Sequence, residues 1–252
     1  PTDEELAQAK HHFIGHLSVQ DYYSIGQYEE DALEKIEEIF EKNDFAVLVG
    51  GSMMYEKAVV EGLNDLPEAN AENQEKLQKI LDEEGLEKLQ EILKNLDEEY
   101  YNVVHKENPR RLLRAIDVIW QTGRKYSEII AEPKHKRDFK VIRIGITAPR
   151  EIMYERINLR VDKMLENGLI DEVKSLTEYQ KLVPLQTVGY TEIFKYLEGT
   201  WDLDFAIEEI KKNSRRYAKR QETWNRKVEN VTWLPYDYSE EQLHEILSKI
   251  EK

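Results

Sequence analysis

The sequence predicts an α/β protein: a largely parallel sheet with helices packed on it, interrupted by an inserted helical domain. Three observations carry this. Phe45-Ala46-Val47-Leu48-Val49 is apolar without alternation, the pattern of a strand buried on both faces of a parallel sheet. Lys140 to Thr147 is a second run of strand character. Between them, from Leu63 to about Phe139, apolar residues recur at helical spacing. The α/β core is therefore assigned to residues 1–62 and 140–252, and the insertion to 63–139.

Taken in order, Gln27 to Lys42 reads as a helix, with Leu33, Ile36 and Phe40 on one side. The strand at 45–49 runs into Gly50-Gly51-Ser52, and Met53 to Gly62 is helical again, completing an α/β unit. In the insertion, Leu77, Ile80 and Leu81, then Leu89, Ile92 and Leu93, mark successive helices. Pro109 suits the first position of a helix carrying Arg110 to Gln121. After the strand at 140–147, Pro149 opens a helix that Asn167-Gly168 closes. A helix over 171–179, a loop at Pro184, and the segment Gln186-Thr187-Val188-Gly189-Tyr190-Thr191 follow. A long helix over 205–227, a short strand at Val231–Pro235 and a closing helix over 240–250 end the chain.

The 252 residues suffice for one large domain or two small ones. No stretch approaches the roughly 18 apolar residues of a membrane helix, so a helical membrane span is excluded. The absence of Cys removes disulfides and thiolate metal sites, and fits a reducing cytosol. The net charge of −15 argues against a polyanion partner for the chain as a whole, but the charge is segregated. Residues 61–100 carry 13 acidic and 4 basic side chains, residues 106–126 carry 2 and 6, and residues 205–230 carry 4 and 8. Such a chain can bind a polyanion on one face and remain acidic overall. Solvated helix faces are the other reading of the same runs.

Three constellations can carry chemistry. Gly50-Gly51-Ser52, between a strand and a helix, lets an anion approach backbone N–H groups and adds a hydroxyl. Glycine used for a tight turn alone explains it equally. Arg156, Arg160 and Lys163 form one cationic stripe, and guanidinium groups grip phosphate bidentately. The alternative pairs them with Glu155 and Asp162. Finally, Arg215 to Arg226 interleaves cations with Tyr217 and Trp224, which suits a nucleic-acid backbone. Trp224 also fits the helix core. The adjacent His11-His12 would face opposite ways on a strand and so make a poor chelating pair.

Read together, these segments resemble the tRNA dimethylallyltransferases (tRNA isopentenyltransferases). The resemblance rests on linked elements in order: His11-His12-Phe13-Ile14; Leu48-Val49-Gly50-Gly51-Ser52-Met53-Met54-Tyr55; Asn108-Pro109-Arg110-Arg111-Leu112-Leu113-Arg114; Gln186 to Tyr190; and Lys219-Arg220-Gln221 with Thr223-Trp224. It covers essentially the whole chain. It implies a P-loop NTPase-like sheet core and the alkylation, by dimethylallyl diphosphate, of the exocyclic amine of the adenine 3′ of the anticodon, with Mg2+ supporting the leaving diphosphate. The implied partners are the tRNA anticodon stem-loop and the allylic diphosphate, for a monomer in the cytoplasm. By the resemblance, Arg160 and then Arg156 stabilise the diphosphate. Gly50 and Gly51 line its site. Ser52, Gln74, Arg110, Arg111, Leu112, Leu113, Arg114, Gln186, Thr187, Val188, Gly189, Tyr190, Thr191, Lys219 and Arg220 contact tRNA, although Arg is common where Gln74 stands. The family's first strand, its nucleotide-binding P-loop and its general-base Asp would precede Pro1, so no metal ligand is assigned within these residues. The chain by itself is expected to have little or no activity. An adenylate isopentenyltransferase and a non-catalytic RNA-binding fragment remain the competing readings.

Overall fold

The computed structural model describes residues 3–250. In chain order the helices are α1 Asp3–Gln8, α2 Ile25–Phe40, α3 Met53–Glu61, α4 Ala71–Glu84, α5 Leu86–Leu96, α6 Glu98–Val103, α7 Pro109–Thr122, α8 Tyr126–Ile130, α9 Arg150–Glu166, α10 Leu169–Ser175, α11 Tyr190–Leu197, α12 Leu203–Asn225 and α13 Glu240–Ile250. The strands are β1 Arg143–Thr147 and β2 Val231–Pro235. The chain forms two compact units, one of Glu29–Ala46 and Tyr55–Phe139 and the other of Pro1–Tyr28, Val47–Met54 and Lys140–Lys252.

The first unit is helical. Leu112, Leu113, Ala115, Ile116 and Ile119 give α7 an inward face, which packs on Leu77 of α4 and on Leu89 and Leu93 of α5. Two caps set helix starts from the sequence. The Asn108 side chain accepts from the Arg111 N–H at 3.3 Å, with Pro109 next to it, and the Asn70 side chain accepts from the Asn73 N–H at 3.0 Å. The unit takes in more than residues 63–139 because Arg137 ties its last segment to its first two. Its guanidinium pairs with Glu29 and donates to the carbonyls of Ala58 and Val59, each at 2.8 Å. Glu29 in turn accepts from the Leu63 N–H at 3.2 Å.

In the second unit α9, α10, α11 and α12 enclose Val161, Leu169, Val173, Leu185, Ile193, Phe194 and Ile210. Two polar contacts bind α12 antiparallel to α9: Lys211 to Asp162 at 2.8 Å, and Arg215 Nη1 to Asn158 Oδ1 at 2.7 Å. β1 and β2 pair in parallel, with Gly145 opposite Trp233, joined through these helices as a parallel pair requires. The chain is thus mostly helical with a small parallel sheet, within the α/β class.

The structure corrects one element. Residues 45–49 form no strand, and Val47 and Val49 are 85% and 86% exposed. A strand is buried by ladder partners on its edges and layers over its faces. Among the described residues the ladder is β1 with β2, so the run at 45–49 has no partner. Of the two segments expected in one parallel sheet, only 140–147 joins it, as β1 beside β2. One smaller difference follows. The 171–179 helix is α10 plus a 3-10 turn at Thr177–Tyr179.

Candidate functional site

Arg156 and Arg160 lie one turn apart on α9, and both are exposed. Asn158 and Asp162 face α12 through their bonds to Arg215 and Lys211. At about 100° per residue, Arg156 and Arg160 stand about 200° around the helix from that face. Neither pairs with Glu155 or Asp162, and Asp162 is held by Lys211 instead. The Arg156 guanidinium lies 6.0 Å from the ring of Tyr236, just past β2. No hydrogen bond or ion pair holds Arg160 among the described residues. Guanidinium groups without a carboxylate partner keep their charge and paired donors for an anion. No bond joins the two arginines to the Gly50–Ser52 turn among the described residues.

That turn meets α12 instead. The Gln221 Nε2 donates to the Gly51 carbonyl at 2.5 Å, next to half-buried Ser52 and the start of α3. Lys219 and Arg220, which precede Gln221 in sequence, are exposed and line an open depression with Thr223, Trp224 and Lys227. The structure therefore gathers Gly51, Ser52, Lys219 and Arg220 around the second half of α12.

The segment from Gln186 to Thr191 is stitched to its surroundings. Gly189 has φ +102°, a conformation that side chains disfavour. Its N–H donates to Glu192 Oε2 at 2.8 Å, and Glu192 Oε1 accepts from Asn213 Nδ2 of α12 at 2.8 Å. Thr191 Oγ1 donates to the Thr187 carbonyl at 2.9 Å. The Gln186 amide donates to the Gln180 carbonyl, and the Tyr190 hydroxyl to Glu172. Burial first, and Glu172 second, push the Tyr190 phenol up to about 12, so it stays protonated at neutral pH. Gln186 and Thr187 are exposed, Val188 is half-buried and Gly189 is buried. Glu192 and Asn213, which hold this segment, were not singled out in the sequence. A Glu three residues after the N-cap glycine, the returning half of a capping box, could have pointed to Glu192.

In the helical unit, Arg110 and Arg111 are exposed on the first turn of α7. Leu112 and Leu113, expected to contact tRNA, are instead core residues, 0% and 9% exposed. The helix period turns them inward, and their side chains hold α7 in place. Arg114 is also committed: its Nη1 donates to Asp117 Oδ2 at 3.2 Å and its Nη2 to the Pro67 carbonyl. Asp117 is wholly buried and also accepts from the Asn70 N–H at 3.4 Å, and from Asn73 Nδ2 and Gln121 Nε2 at 3.0 Å each. This network sets the first turn of α4, where half-buried Gln74 stands, against α7. A lone carboxylate among the apolar positions 112–119 was the available signal for Asp117. Among the described residues no group of three or more His, Asp or Glu side chains could hold a metal ion.

Residues 1–228 match the family model described as IPP transferase. The chain belongs to the IPP transferase family. It is 46% identical over 251 residues to the tRNA dimethylallyltransferase of Christiangramia forsetii, covering 99% of this chain and 83% of that protein. It is 43% identical over 251 residues to tRNA dimethylallyltransferase 1 of Bacteroides fragilis, covering 100% and 82%. Among solved IPP transferases, the tRNA isopentenylpyrophosphate transferase of Bacillus halodurans aligns over 100% of this chain and 80% of its own, with TM-score 0.69 and 34% identity. A eukaryotic dimethylallyltransferase solved while acting on tRNA aligns over 98% and 67%, with TM-score 0.82 and 25% identity. No helix of the described residues is long and apolar enough to cross a membrane.

Proposed function

We propose that this member of the IPP transferase family transfers a dimethylallyl group from dimethylallyl diphosphate to tRNA, on the exocyclic amine of the adenine 3′ of the anticodon. The amine nitrogen forms a bond to C1 of the allylic group. The C1–O bond breaks, its electron pair leaves with diphosphate, and an amine proton passes to a base. In this reading the sheet belongs to a P-loop NTPase-like core, and the protein works as a monomer in the cytoplasm. Arg160, assisted by Arg156, meets the charge that grows on the leaving diphosphate. Gly50 and Gly51 line the diphosphate site, and Ser52, Lys219, Arg220 and the 186–191 segment meet the tRNA, as do Gln74, Arg110 and Arg111. Mg2+ would accompany the diphosphate, although the described residues hold no cluster of three or more His, Asp or Glu side chains for it.

The observation that carries the assignment to Arg160 is its exposure without a carboxylate partner on a cationic stripe of a family member. A guanidinium bound to the departing oxygen gains interaction as the C–O bond breaks, so it lowers the barrier more than it tightens substrate binding. In protein made from the complete reading frame, Arg160→Ala is expected to cut single-turnover transfer by about 10²–10³-fold, with tRNA affinity nearly intact. Arg160→Lys recovers part of this, because a point charge lacks the bidentate fork. A near-normal rate for Arg160→Ala at saturating tRNA and donor would sink the assignment.

A further inference from the structure

We propose that Gln221 is a positioning residue that clasps the Gly50–Ser52 turn and so presents Ser52 to the tRNA. The inference rests on the tRNA-transfer reading of that turn. Among the described residues the chain entering the turn joins no ladder and is exposed, so no sheet fixes where Gly51 and Ser52 lie. Gln221 supplies the fixing bond from α12, with its Nε2 donating to the Gly51 carbonyl at 2.5 Å. The carboxamide lies directly against the Gly51 α-carbon. A Cβ built there would overlap the Gln221 nitrogen and come within 3.7 Å of its Cδ, so a larger residue at 51 pushes the flexible carboxamide aside. The choice of group is chemically pointed. Lys219 and Arg220 beside it are cations exposed for a polyanion, and a cation at 221 would be drawn to the same phosphates. A neutral amide donates to a carbonyl without that competition. The helix that carries the clasp is itself anchored through Lys211, Asn213 and Arg215 to Asp162, Glu192 and Asn158. The turn therefore inherits a rigid reference.

The test pairs Gln221→Ala with Gly51→Ala and the double variant. Amide hydrogen exchange at residues 56–58, the first N–H groups bonded within α3, is measured on this chain, and initial rates with tRNA and dimethylallyl diphosphate on protein from the complete reading frame. Gln221→Ala frees the turn that leads into α3 and is expected to speed exchange at 56–58 by about tenfold and to lower kcat/KM for tRNA by about tenfold. The KM for the diphosphate should stay within about twofold, and Tm within about 2 °C, because the bond is local and half exposed. Gly51→Ala displaces the same carboxamide and should reproduce both effects, with the double variant no worse than the worse single one. Additive losses overturn the clasp. Slower transfer with unchanged exchange also overturns it, because Gln221 would then act on the substrate directly. Faster exchange with unchanged tRNA kinetics overturns the functional role. If the unsubstituted enzyme fails to modify tRNA, the proposed function falls, while the exchange data still decide whether the clasp exists.

Discussion

Removing the Asp117 carboxylate should loosen the helical unit, and the size of the loss follows from its four donors. Oδ1 takes Asn73 Nδ2 and Gln121 Nε2, and Oδ2 takes Arg114 Nη1 and the Asn70 N–H. Breaking a buried ion pair costs roughly 3–5 kcal/mol when the remaining charge stays buried. Here the Arg114 side chain is 32% exposed, and Gln121 and Asn70 reach solvent, so part of what is orphaned rehydrates. The expected loss for Asp117→Ala is therefore lower, about 2–3 kcal/mol. Asp117→Asn is nearly isosteric yet turns an NH2 toward two of the donors. It should fall within about 1 kcal/mol of the alanine variant instead of rescuing it. Trp120 is the tryptophan of the helical unit, so its fluorescence in urea reads that unit once Trp201, Trp224 and Trp233 are replaced by Phe. Amide exchange across α4 should accelerate in step. A loss below about 0.5 kcal/mol for both variants, the range of ordinary surface changes, would refute the network's role.

Two further outcomes are expected. Arg110→Glu and Arg111→Glu should weaken tRNA binding and flatten the dependence of log affinity on log salt by roughly 0.7–0.9 for each phosphate no longer neutralised; an unchanged slope in filter-binding titrations would remove these residues from the interface. Asp97 is buried, which by itself raises its pKa, but the N–H groups of Tyr100 and Ser127, the Ser127 hydroxyl and nearby Lys125 together hold it below the ordinary value. A depressed folded pKa stabilises above the unfolded value of about 3.9 and loses that contribution as pH falls below it. The stability gap between the native chain and Asp97→Asn should thus shrink as pH falls from about 4 toward the folded pKa, and a gap constant in urea melts across that range would contradict the assignment.

Local signals were the most legible. The Asn108-Pro109 start of α7 and its inward face follow from capping and the 3.6-residue period, and the strand character at 140–147 appears as β1. What stayed hidden was partnership. An apolar run such as 45–49 states a demand for burial without naming its neighbour, and in the structure that demand is unmet. The same limit applies to polar groups. Asp117, Glu192, Asn213 and Gln221 also bind partners far away in sequence, at Asn70 and Asn73, Asn213, Glu192 and Gly51, and their local context does not name those distant partners. Leu112 and Leu113 show the opposite error. Resemblance treats 110–114 as one tRNA-binding run, whereas helical periodicity alone separates the outward arginines from the inward leucines. Arg114 stands between them: its position suggested phosphate, and its guanidinium is already spent on Asp117 and Pro67.

The most direct test of the central claim is transfer from labelled dimethylallyl diphosphate by protein from the complete reading frame, offered unmodified tRNA and AMP in parallel. Label is expected on tRNA, confined to the adenine 3′ of the anticodon, with none on AMP. Label on AMP without tRNA would instead identify an adenylate isopentenyltransferase, and stable tRNA binding without transfer to either acceptor would contradict an enzymatic role.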